Sequence, residues 1–298
     1  MAGTTTVGAL TPPRRISIGQ LRGWAVQAPL FPLAILAIVM FAAVFAPLIA
    51  PHDPVALNVD ARLTPPFWLE GGGSSYLLGT DAIGRDVLSR LIYGARISLI
   101  VASITIFVSG SIGVTLGVAS GYFGGALDRI IMRIVDIQLS VPSLLFAVGL
   151  AGILHPGIEN VLVILIIFNW AGFARLTRGE AMTLRERDFV ALARVAGCSS
   201  WRIIFRHLMP NLMNTVIVLA TLDVGRIIIF EASLSYLGLG VQNPTPAWGS
   251  MLADGRAYII DAWWLAVFPG VALLLTCLSA NLMGDWLRDA LDPKLRNL

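Results

Sequence analysis

The apolar positions of this chain run in long uncharged blocks. Gly23 to Pro51 carries no charge, with Ala28–Ala50 as its apolar body, and Ile97–Leu127, Ile137–Ile158 and Ala262–Gly284 are likewise free of charge. A bilayer core about 30 Å thick is crossed by roughly 20 apolar residues in a helix, so each block predicts a span. Two further segments are less simple. Asn160–Ala174 is short, and Asn211–Leu237 carries Asp223, Arg226 and Glu231 among apolar residues. Central charges cost about 2.5–3.5 kcal/mol each, while a dozen or so large aliphatic and Phe residues return about 0.3–0.6 kcal/mol each. That helix needs neighbours to insert.

Charge placement sets the count. With six spans, 15 of the 21 basic residues fall on one side: Arg14, Arg15 and Arg22 before the first span, Arg129 and Arg133, seven arginines between Arg175 and Arg206, and Arg288, Lys294 and Arg296. Basic loops mark the cytoplasmic face, so both termini are expected inside a multi-pass protein of the cell (inner) membrane. The first apolar body exceeds the roughly 7–15 residues of a signal-peptide core, which makes it an anchor. Composition agrees: 56% of the 298 residues are hydrophobic and 13% charged, against about 25% charged in soluble domains. The expected fold is an all-α integral membrane bundle of six transmembrane helices. Its parts are a tail at 1–27, a first span at 28–50, an extracytoplasmic loop at 51–95, a main membrane domain at 96–286 and a second tail at 287–298.

The loops carry the patterns that are not apolar. In the outer loop, Gly71-Gly72-Gly73-Ser74-Ser75 separates a Pro-containing half from a helix-prone half. There Asp81 is placed to cap a helix, and Asp81/Arg85 and Asp86/Arg90 are spaced as i,i+4 ion pairs on a solvated face. The inner loop, 177–211, reads as two short helices bent at Gly197. Phe189, Ala193 and Ala196 line one side of the first helix. Ser199 or Ser200 caps the second, on which Trp201, Ile204, Phe205 and Leu208 share a face, and Pro210 ends it. Such an element either lies in lipid headgroups or docks into another protein, and small residues such as Ala193 and Gly197 permit close approach.

Chemistry is sparse. No phosphate-binding Gly-x4-Gly-Lys-Ser/Thr loop, Ser/His/Asp set or His-Glu-x2-His motif occurs, so no hydrolytic activity is expected of this chain. Cys198 and Cys277 fit neither a disulfide framework nor metal spacing, and His52, His155 and His207 are scattered, so no metal site is expected. Asp223 and Arg226 can pair along one helix face while Glu231 sits on another; intramembrane charges of this kind face a bundle interior or a water path.

Four stretches together resemble one family. Leu78–Arg90 with Gly94-Ala95-Arg96-Ile97-Ser98-Leu99 resembles the outer signature of the dipeptide/oligopeptide/nickel class of ABC-importer permeases, centred on Gly79, Thr80, Asp81, Gly84, Arg85 and Asp86. Asp188–Gly197, followed by His207-Leu208-Met209-Pro210-Asn211, resembles the family's "EAA" loop. Leu234–Gln242 with Trp248-Gly249 is similar to the segment after its fifth span, and Gly284–Pro293 to its terminal motif. Two departures stand out. Ala191-Leu192-Ala193 replaces the name-giving Glu-Ala-Ala, which removes a carboxylate, and the loop ends in His207-Leu208-Met209-Pro210.

The resemblance implies a type I ABC-importer permease bundle of the "C" type, a transporter subunit that imports di- or oligopeptides, with nickel or another small solute as the alternative. It implies alternating access with a second homologous permease, two ATP-binding subunits that hold ATP and Mg, an extracytoplasmic substrate-binding protein, and no nucleic acid. Phe189, Val190, Ala193, Arg194, Gly197, Trp201 and Pro210 would form the ATPase-coupling loop. Asp223, Arg226 and Glu231 would serve the pore, a gate or helix pairing, and Asp81, Arg85 and Asp86 would meet the binding protein or brace the partner permease. A reading from a different class is a self-sufficient ion-coupled carrier using Asp223 or Glu231; a membrane scaffold without transport leaves the intramembrane charges unexplained.

Overall fold

The computed structural model describes residues 29–291. The tail at 1–27, Arg14, Arg15, Arg22, Lys294 and Arg296 lie outside the described residues. The helices, in chain order, are α1 (Leu30–Ile49), α2 (Val87–Phe123), α3 (Gly125–Ser140), α4 (Ser143–Ala151), α5 (Ile158–Arg185), α6 (Asp188–Val195), α7 (Ser200–Tyr236), α8 (Trp248–Gly255) and α9 (Trp264–Leu291). Five of them are long and apolar enough to cross a membrane, and a sixth crossing exists if the bent pair α3 and α4 is one span.

That bend corrects the third expected span. The uncharged block at 137–158 is not one rod: α3 stops at Ser140, Pro142 follows, and α4 leaves at 87°. Proline has no N–H to continue the ladder and pushes its predecessor, here Val141, into extended backbone. At nine residues, α4 reaches only about 14 Å.

The bundle is organised around α2, which packs along α5 and also meets α1, α7 and α3. Its contact with α5 is a stripe of glycines one turn apart. A Cβ added at Gly113 would lie 2.3 Å from the Trp170 carbonyl oxygen, one at Gly117 2.1 Å from Thr177 Oγ1, and one at Gly121 2.6 Å from the Arg178 carbonyl oxygen. Lipid offers no hydrophobic gain for pairing two helices, so close backbone approach through small residues supplies the contact energy instead. This Gly-x3-Gly-x3-Gly signal was present in the sequence.

α1 stands apart. Only Pro32, Ala43 and Ala46 on it are buried, and its outer surface of Leu, Ile, Phe and Val is bare, as suits a helix solvated by lipid. At one end of α2, residues 51–86 fold over α1, α8 and α9 as a cap around Val87, Ala95, Trp248 and Trp264. At the other end a knob made of α6 and the first turns of α7 packs under α2 and α5, around Tyr122, Ala181, Val190, Ile203, Ile204 and Leu208.

Candidate functional site

Three constellations hold the residues singled out above, one at each end of α2 and one between.

At the cap, Asp81 does not open a helix. Its Oδ1 accepts from the Ile83 and Arg85 backbone N–H groups at 3.0 and 2.9 Å, closing a tight turn. The turn is enforced by Gly84, whose φ is +81° and whose missing Cβ leaves room for the Asn58 carbonyl oxygen 1.7 Å from where that atom would stand. The helix begins after it, with Asp86 as the cap accepting from Ser89 N at 2.9 Å and Ser89 Oγ at 2.6 Å. Asp81 and Arg85 do pair, at 2.6 Å. Asp86 and Arg90 do not: Arg90 turns back to Asp81 Oδ2 at 3.8 Å and donates to the Pro54 carbonyl at 3.3 Å.

Nor is this face solvated, since Thr80, Asp81, Arg85, Asp86 and Arg90 are all buried. Arg85 reaches across to Asn243 Oδ1 at 3.0 Å and to Asp254 at 3.5 Å, joining the cap to the segment between α7 and α8. Gly79 receives Val87 N–H on its carbonyl at 3.1 Å. These charges are thus buried internal braces. Trp248, which sequence reading placed only within a motif, proves central: its indole donates to the Leu91 carbonyl at 2.9 Å while its ring fills the space left by Gly94.

Between the ends, Asp223 and Arg226 pair at 3.0 Å on α7, and Arg226 Nη2 also donates to Asn169 Oδ1 on α5. Asn169 in turn donates to Ser109 Oγ on α2 at 3.1 Å. Asp223 is buried, whereas the Arg226 side chain is 61% exposed. Glu231 lies elsewhere, fully buried, accepting from Ser235 Oγ at 2.8 Å and Ser98 Oγ at 3.4 Å. Ser235 Oγ also accepts from Val241 N–H at 3.1 Å, so Glu231 pins the chain reversal after α7 to α2.

At the knob, α5 runs on to Arg185, so the first of the two short helices expected in the inner loop is only Asp188–Val195, separated from α5 by Glu186 and Arg187. Its end is a full Schellman closure: Cys198 N–H donates to Ala193 O at 3.0 Å and Gly197 N–H to Arg194 O at 3.0 Å, with Gly197 at φ +74°. Nothing lies within 4 Å of a Cβ at Gly197, so a substitution there meets backbone strain alone. Gly197→Ala is expected to cost about 1–2 kcal/mol locally and Gly197→Asn distinctly less, read as protease sensitivity of the 195–200 segment in membranes.

Pro210 does not end the second helix. Ser199 Oγ caps it, accepting from Arg202 N–H at 3.4 Å, and a π-helical turn at Ile204–Leu208 carries it directly into Met209–Tyr236. The wider turn accommodates the proline ring, and Asn211 Nδ2 donates to the His207 carbonyl at 2.6 Å. The extra residue splits the expected apolar face: Ile203, Ile204 and Leu208 turn inward, while Trp201 and Phe205 stack outside at 5.9 Å. On α6, Val190 and Ala193 are buried, Arg194 sits over the Tyr122 ring at 5.6 Å, and Phe189, Leu192 and Val195 face out. Arg185 donates to the Gly121 and Tyr122 carbonyls, both at 3.3 Å, at the C-terminus of α2. The knob is therefore welded to the lower ends of α2 and α5 and shows an apolar outer surface.

A bundle of broken and glycine-packed membrane helices with such a knob is the type I permease fold of ABC importers. A chain of the inward-facing MetNI methionine ABC transporter superposes with a TM-score of 0.54 over 68% of this chain and 96% of its own, at 18% identity, a likeness of fold. The family model described as "Binding-protein-dependent transport system inner membrane component" matches residues 113–297, and the chain belongs to that family. Among its relatives, the di/tripeptide transport system permease protein DppC of Pseudomonas aeruginosa is 48% identical over 265 residues, 89% of this chain and 88% of the relative. The dipeptide transport system permease protein DppC of Escherichia coli K12 is 49% identical over 264 residues, again 89% and 88%. The glutathione transport system permease protein GsiD of Pectobacterium atrosepticum is 42% identical over 273 residues, 92% and 88%.

Proposed function

We propose that this chain is a permease subunit of an ATP-driven importer for di- and oligopeptides, lining half of a path that a second homologous permease completes. Two ATP-binding subunits, holding ATP and Mg, dock on the knob at the cytoplasmic face. An extracytoplasmic binding protein delivers substrate at the cap, and both termini lie in the cytoplasm. The observation that carries this reading is the knob itself. Its inner residues Val190, Ala193, Ile204 and Leu208 are buried against α2 and α5, while Leu192, Val195, Trp201 and Phe205 are bare. A rigid lever with an apolar outer face is what a motor held on a separate chain requires, since a force applied there moves α2 and α5 with it. The likeness to permeases of di/tripeptide systems supports peptides over nickel as cargo.

Reconstitution tests the reading. Labelled dipeptide uptake into proteoliposomes is expected only with the partner permease, the ATPase subunits, ATP on their side and the loaded binding protein opposite. Uptake by this chain alone, driven by an ion gradient, would establish the carrier reading instead.

A further inference from the structure

Arg226 stands near the middle of Met209–Tyr236 and is mostly exposed, although it belongs to a membrane span. Ionisable groups at that depth face a bundle interior or a water-filled path rather than lipid. It borders a cavity of about 320 Å³, walled by Phe168 of α5, Phe230 of α7, and Gln138, Pro142 and Ser143 at the break between α3 and α4. Backbone that leaves the helix within a membrane span is tolerated where it lines such a cavity, and Pro142 and Ser143, where α4 begins, line this one. We propose that Arg226 is a substrate-contacting residue of the translocation path, which takes the α-carboxylate of the passing peptide while Phe168 and Phe230 receive its side chains.

The neighbours of Arg226 fit this use. Nη2 alone is engaged, by Asp223 and by Asn169, and Asn169 is fixed through Ser109 to the Thr105 carbonyl. Among the described residues no acceptor meets Nε or Nη1, so a guanidinium anchored through Nη2 keeps three N–H groups for a ligand in the cavity it lines. Gln138, which also lines the cavity, has its amide nitrogen engaged by the Phe168 carbonyl at 3.1 Å. Asp223 cancels the long-range field of Arg226, leaving short-range hydrogen bonding. A path must hold its cargo weakly enough to release it, and a neutral pair with spare donors does so. At about 320 Å³ the cavity is at the small end of ligand pockets, as befits one wall of a site that the second permease closes.

The inference rests on the peptide-importer reading, and the wild-type complex in proteoliposomes separates the two: if it takes up no peptide, that reading fails first. In the complete complex, R226Q is expected to lower peptide delivered per ATP hydrolysed at least tenfold, with R226K retaining more than R226Q. A ratio equal to wild type overturns the assignment. If R226Q fails to assemble, F230C in a Cys198→Ser background that keeps Arg226 decides. Its maleimide modification in the purified complex is expected to slow with millimolar dipeptide and not with the dipeptide's C-terminal amide. Equal rates with both overturn the assignment and leave Arg226 as a contact to the neighbouring permease.

Discussion

Val195→Asp is expected to leave the permease folded and in the membrane while reducing co-purification of its ATPase subunits at least tenfold. Val195 is 87% exposed at the end of α6 and has no part in the cluster that fixes the knob. Surface changes of that kind shift stability by about 0.5 kcal/mol or less. Bound to a partner, the same side chain would be desolvated, and an unpaired buried carboxylate costs several kcal/mol, against about 1.4 kcal/mol for each tenfold in affinity. Leu192→Asp is expected to act alike from the neighbouring exposed position. Quantitative mass spectrometry of the tagged permease, with thermal stability of the isolated chain beside it, reads both quantities. Unchanged recovery of the ATPase subunits would mean that the apolar outer face is not their seat.

Gly117→Leu is expected to remove the folded permease from the membrane altogether. The α2 and α5 backbones approach so closely that even a methyl group would meet Thr177 Oγ1 at 2.1 Å and the Ala174 carbonyl at 2.4 Å. Ordinary overpacking costs about 1–3 kcal/mol because side chains can move aside, and here one obstacle is backbone. Separating the helices would also slacken the Asn169 to Ser109 bond and the attachment of the knob, since both depend on α2 and α5 staying in register. Gly172 offers a control on α5, because nothing lies within 4 Å of a Cβ there. Gly172→Leu is expected to give wild-type yield of monodisperse protein, and Gly117→Leu almost none. Equal yields would mean that the glycine stripe is not what joins the helices.

What could be read from the residues, and what could not, divides by the range of the interaction involved. Long uncharged runs announce spans because the bilayer imposes a length on each one separately; α1 follows its run closely, while α9 continues past Gly284 to Leu291. The Schellman closure at Gly197 was legible for the same reason, since all its hydrogen bonds fall within a few residues. The turn at Asp81 was not. An aspartate at the head of a helix-prone stretch reads as a cap, whereas here its Oδ1 closes a turn in which Gly84 takes positive φ beneath the Asn58 backbone, and the helix starts only after Asp86. The burial of Arg85 depends likewise on Asn243 and Asp254, far along the chain.

Pro142 and Pro210 show how one residue type gives opposite outcomes. At Pro142 the chain breaks and turns, opening the cavity beside Arg226. At Pro210 a π-helical turn absorbs the ring and the helix continues, which sets Trp201 and Phe205 outward when helical periodicity places them inward with Ile204. A local pattern cannot choose between these, because the packing of Ile203, Ile204 and Leu208 under α2 decides it. The exchange of Glu-Ala-Ala for Ala191-Leu192-Ala193 is easier to place: Ala193 packs inward, Leu192 adds to the outer apolar face, and the helix keeps its geometry without the carboxylate.

The claim on which the account rests is that the knob hands motion from a separate ATPase to the helices around the path. Val195→Cys in a Cys198→Ser background, cross-linked in native membranes with a short bismaleimide, tests it most directly. A cross-linked product containing an ATP-binding subunit, protected from impermeant maleimide added outside intact cells, is the predicted result. Labelling of the cysteine from outside, or cross-links to no ATP-binding subunit, would contradict it.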